Sequence, residues 1–91
     1  MNRTFNPGDI VKHFKRETHN TGTDYLYQII GVSKHTETGE KMVIYKPLYD
    51  VESMADVNFA ARPMDMFMSE VDRVKYPNVR QTYRFEPYYF D

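Results

Sequence analysis

The chain has 91 residues, 15% of them aromatic, with twelve basic against thirteen acidic side chains and no cysteine. That length makes one domain, residues 1–91, and six Phe with eight Tyr supply a core without metal or disulfide staples. The missing cysteines exclude disulfides and thiolate sites, and a formal charge of -1 removes any bulk footprint for nucleic acid or anionic lipid, leaving only a local basic patch open.

No apolar run reaches the ~20 residues of a membrane span. The stretch MNRTFNPGD has none of the apolar centre of a secretory leader. The expectation is a cytoplasmic protein with no membrane partner.

Pro7-Gly8 marks a turn that opens the domain. In DIVKHFK, residues 9–15, Ile10 and Phe14 alternate with Val11, His13 and Lys15, which predicts a strand with one mostly polar face. RETHNTGTD, residues 16–24, is a long polar loop. YLYQIIGV, residues 25–32, is β-branched and aromatic on both faces and predicts a central strand, with Gly31 marking a bulge or a close backbone approach.

KMVIYK, residues 41–46, is the return strand of a hairpin, with Val43 and Tyr45 on one face and Met42 and Ile44 on the other. Gly39 supplies the positive φ that the connecting turn needs. VESMAD, residues 51–56, is a second polar loop that can hold one helical turn. VNFAAR, residues 57–62, predicts a short strand. Pro63 pre-organises a short helical or 3-10 turn over Met64 to Phe67. MSEVDRVK, residues 68–75, fits either a helical face or an edge strand. In QTYRFEP, residues 81–87, the alternation of Thr82, Arg84 and Glu86 against Tyr83, Phe85 and Pro87 predicts a last strand. About five short strands with no long helix predict an all-β domain, a small barrel or roll.

Several ordered blocks carry a resemblance. Gly8, His13-Phe14-Lys15, Tyr27, Val32, His35-Thr36-Glu37-Thr38 with Glu40, Val43 and Tyr45, Leu48-Tyr49, Arg62-Pro63 and Met66-Phe67 resemble the bacterial family catalogued as domain of unknown function 1653. The blocks run from Pro7 to about Val71, two-thirds of the chain. The resemblance implies an SH3-like β-roll and no assigned activity. It sets a core of residues 7–75 against a C-terminal extension, residues 76–91, expected to dock on the barrel. The chain departs from the family pattern in its long 16–24 loop, in that extension, and before Arg62, where it carries Phe59-Ala60-Ala61 and many relatives have a Trp.

The polar constellation admits several chemistries. His35, Glu37 and Glu40 offer three nitrogen and oxygen donors within six residues. No fourth ligand and no helical i, i+4 pair accompanies them, so a solvated turn explains them better than a metal and no cofactor is expected. His35 and Glu37 are the candidate acid and base of a hydrolase, yet no nucleophile motif stands near them. In the dense Met stretch, Met66 and Phe67 are expected in the core, and Met54 and Met68 nearer the surface.

Tyr and Arg are the residue types that dominate recognition surfaces, and Tyr rings beside cations suit a base or a phosphate. The leading expectation is therefore a non-enzymatic binding module. Its ligand-binding residues are His13, Lys15, His35, Thr36, Glu37, Tyr45, Tyr49 and Arg62, and Arg62 pairs with Glu37 or Glu40. The ligand is a small anion, a nucleic-acid segment or a protein partner, and the chain is a monomer or a weak homodimer. The alternatives are the hydrolase and a purely structural interaction subunit.

Overall fold

The structure is a computed structural model, and residues 4–90 are described. It is mainly β. One antiparallel sheet carries all five strands, in the order β4-β3-β2-β1-β5. The strands are β1 (Ile10–His13), β2 (Leu26–Lys34), β3 (Lys41–Pro47), β4 (Ala60–Pro63) and β5 (Phe85–Pro87). One α-helical turn, α1 (Met64–Phe67), follows β4, and 3-10 turns occupy Phe14–Glu17 and Glu52–Met54. No helix among the described residues is long and apolar enough to cross a membrane.

The hairpin of β2 and β3 forms as its residues require. Gly39 has φ +77 in the connecting turn, a region that costs an L side chain a steric clash and glycine none. The β2–β3 register slips between Ile29 and Gly31, so the predicted bulge is present.

Cross-strand pairing then decides which side chains share a face. Val11 lies opposite Tyr27, Ile29 opposite Tyr45, Val43 opposite Arg62, and His13 opposite Phe85. All of these project to the inner face, where Val11, Ile29, Val43, Tyr45, Phe67 and Phe85 form the core. Phe67 stacks on Phe85 with ring centroids 4.1 Å apart and planes 5° from parallel. The two ends of the sheet meet beside that stack. Glu70 and Tyr83 form an antiparallel bridge, Val71 N–H donates to Thr82 O, and Arg84 N–H donates to Ser69 O. Thus the chain leaving α1 is joined to the chain entering β5, and the sheet closes into a roll.

Several elements differ from the sequence reading. β1 stops at His13, and Phe14 enters the 3-10 turn, where its ring packs 4.8 Å from that of Tyr76. The face of β1 that reads as polar is the buried one, because His13 is neutral and packs as an aromatic ring. β4 begins at Ala60 rather than Val57, and Phe59 is half exposed outside the strand. Met66 is 46% exposed while Met64 and Met68 pack against the core. On one helical turn residues 64, 67 and 68 share a face and residue 66 points away from it.

Acceptor side chains hold the segment between α1 and β5. Glu17 accepts the backbone N–H groups of Arg80 (3.0 Å) and Gln81 (2.6 Å). Buried Gln81 donates its Nε2 to the carbonyls of Lys12 and Tyr83. β5 in turn pairs with β1, and Tyr88 N–H donates to Ile10 O.

Candidate functional site

Inside the roll, polar and charged groups lie beside the aromatic core. Arg62 projects inward because it pairs with buried Val43. Its Nε donates to the Tyr45 hydroxyl at 3.1 Å and its Nη1 to Met66 Sδ at 3.5 Å. The guanidinium carbon lies 5.7 Å from the Phe85 ring centre, within cation–π range. Behind it the hydroxyls of Tyr27 and Tyr49 share a 2.7 Å hydrogen bond. Burial pushes the Tyr27 phenol well above its usual range and raises Tyr49 as well, so both stay neutral.

His13 stands at the junction of core and site. Its ring lies 4.3 Å from that of Phe14 and 5.1 Å, edge-on, from that of Phe85. Its Nδ1 accepts the N–H of Lys15 at 3.1 Å, which assigns the ring proton to Nε2. Burial first, then the charges of Lys15, Arg62 and Arg84, push its pKa down to about 3. His13 is therefore a neutral donor at physiological pH.

A cavity of about 250 Å³ opens in front of His13. Lys15, Arg62, Lys75 and Arg84 line it, together with the rings of Phe14 and Tyr76. Asp72 is its one carboxylate, and Asp72 Oδ1 already accepts the N–H groups of Val74 and Lys75. Four of the twelve basic residues thus converge on one small space in a chain with no net positive charge. Such a cavity focuses positive potential. Lys15 and Lys75 are exposed at its mouth, and Arg62 and Arg84 are half-buried at its base.

The structure brings together only part of the residue set read from sequence. His13, Lys15 and Arg62 line the cavity. Tyr45 and Tyr49 sit behind it, Tyr45 holding Arg62 and Tyr49 holding Tyr27. His35, Thr36 and Glu37 do not join them, and no cavity residue comes from their loop. The expected pairing of Arg62 with Glu37 or Glu40 is replaced by the bond to Tyr45. The cause is geometric: Arg62 lies across from Val43, inside the strand, and the loop lies beyond Lys41.

That loop is closed on itself. His35 Nδ1 accepts the N–H groups of Glu37 and Thr38, each at 3.2 Å, and Thr38 Oγ1 accepts that of Glu40. His35 N–H donates to Glu40 O, and Gly39 N–H returns to His35 O. His35 acts here as a turn cap, in the way an Asx side chain does. Among the described residues no group of three or more His, Asp or Glu side chains is placed to hold a metal ion.

Asp72, Lys75, Tyr76 and Arg84 were missed as site residues. They arrive through the bridge between Glu70 and Tyr83, a contact that no local sequence pattern encodes. The one signal for Arg84 is its place directly before Phe85 in an alternating run.

The chain has no significant match among the curated proteins or among the solved structures. One family model matches residues 9–87, so β5 and the chain from Tyr76 to Pro87 fall inside the matched region. The chain belongs to the family described as protein of unknown function (DUF1653).

Proposed function

We propose that the protein is a binding module for a small anion, held in the cavity in front of His13. The observation that carries this reading is the convergence of Lys15, Lys75, Arg62 and Arg84 beside a buried, neutral imidazole. Arginine forks match phosphate and carboxylate geometry, and the Tyr45 hydroxyl and the Phe85 ring hold one of them in place. The two lysines at the mouth steer the anion inward. With His13 held neutral by burial and Asp72 Oδ1 accepting two backbone N–H groups, binding without turnover accounts for the residues present.

The test is a thermal-shift titration with inorganic phosphate at fixed ionic strength, balanced with chloride. Ligand that binds only the folded state raises Tm, and above Kd the stabilisation grows with the logarithm of its concentration. Arg84→Ala is expected to weaken phosphate binding at least tenfold, and a Lys15→Ala, Lys75→Ala double variant by several-fold. Equal shifts with phosphate and chloride, or unchanged affinity in folded Arg84→Ala protein, overturn the reading.

A further inference from the structure

The anion cavity does not stand alone. A second cavity of about 480 Å³ adjoins it, and the two share Phe14, Lys15, Lys75 and Tyr76 as a common wall. The second one is different in character. Its surface is built from Phe14, Tyr25 and Tyr76 with Pro77 and Val79, Thr18, His19 and Asn78 stand at its edge, and the Glu17 carboxylate on its wall accepts the N–H groups of Arg80 and Gln81. Each of these three edge residues carries a hydrogen-bonding side chain, and the His19 ring lies 5.8 Å from that of Tyr25. Tyr25 itself is held at φ +57, the one non-glycine residue with positive φ among the described residues. A residue kept there against its own preference is fixed by its surroundings.

Resting on the anion reading above, we infer that the ligand is a mononucleotide unit. Its phosphate fills the space between Arg62 and Arg84, and its base lies in the adjoining aromatic cavity. A cationic pocket beside an aromatic one is the division of labour that a nucleotide demands. The phosphate needs charge and forked donors. The base needs a ring face to stack on and polar groups at its edge. The shared lysines lie where the sugar links the two. Together the two spaces, about 250 and 480 Å³, fall within the roughly 300–1,000 Å³ of small-molecule sites. The unit comes either as a free nucleotide or as the phosphorylated end of a single strand, and the chemistry is the same.

Calorimetric titration of the whole chain with inorganic phosphate, with adenosine or uridine, with the corresponding 5′-monophosphates and with a 5′-phosphorylated tetranucleotide tests this. The expected result is at least tenfold tighter binding of a monophosphate than of phosphate alone, with the nucleosides weaker still. Asn78→Trp, which fills the second cavity from an exposed position, is expected to erase that tenfold advantage and leave phosphate affinity intact. His19→Ala carries the same comparison without added bulk, with a smaller loss. Tighter binding of the tetranucleotide than of the monophosphate identifies a strand end as the source, and weaker binding identifies the free nucleotide. If phosphate binds and the monophosphates bind no better, the nucleotide inference falls and the anion reading stands. If neither binds, both fall.

Discussion

The Nε of Arg62 donates to the hydroxyl of Tyr45 at 3.1 Å, joining the one cation on the inner face of β4 to a ring of the core. The bond decides where the guanidinium points. Without it the side chain has several rotamers open to it and only the weak contacts to Met66 and Phe85 to choose among them. Tyr45→Phe keeps the ring and removes the hydroxyl. It is expected to lower stability by about 1 kcal/mol, the size of one hydrogen bond, and to weaken phosphate binding by roughly three- to tenfold, about 1 kcal/mol of lost pre-organisation. Parallel urea unfolding and phosphate titration measure the two effects, and a stability loss with no change in affinity argues against Tyr45 as a positioning residue.

Acid sensitivity follows from His13. Its pKa is about 3 in the folded chain against an ordinary 6.5. Between those values the unfolded chain binds the proton and the folded chain does not. The stabilisation is therefore complete above pH 6.5 and drains away as pH falls towards 3. A loss of about 2 kcal/mol between pH 7 and pH 5 is expected, at about 1.4 kcal/mol per unit. Glu17, lowered chiefly by the hydrogen bond from the Arg80 backbone, adds its own loss only below about pH 4.5. Urea midpoints at pH 7.5, 6 and 5 thus keep Glu17 out of the interval. His13→Phe is expected to flatten that interval, and an unaltered slope in this variant rules His13 out as the source.

A different outcome is expected for the loop at His35. His35→Ala removes the acceptor for two backbone N–H groups. The turn is exposed, so water replaces much of the loss and about 1 kcal/mol is expected, or a Tm lowered by roughly 4–8 °C for a chain of this size. Phosphate affinity is expected to be unchanged. A tenfold loss of phosphate binding in folded His35→Ala protein returns the loop to the site and contradicts the geometry.

These three positions show where the sequence was readable. The β2–β3 hairpin was legible because β-branched and aromatic residues with a correctly placed Gly39 leave few alternatives for Tyr25 to Lys46. The mainly β character followed from the same residues. The face of β1 was misread because a histidine between lysines looks solvated, and only the rings of Phe14 and Phe85 around it make it a core residue. The loop at His35 draws attention because its residue types suit chemistry, although the side chains of His35 and Thr38 are spent on the turn. The cavity stayed invisible for a different reason. Period and propensity give the face on which Arg62 and Arg84 lie, but not which end of the sheet curls over the other.

The carboxylate of Glu17 grips the backbone at Arg80 and Gln81, sixty-three and sixty-four residues further along the chain. β1 likewise lies between β2 and β5. Until β5 pairs, one side of β1 therefore stands bare. Arg84 enters the cavity only with that pairing. The cavity and the paired sheet are made together, so a chain in which β5 is unpaired has neither, and its bare edge stays open to mispairing with its neighbours.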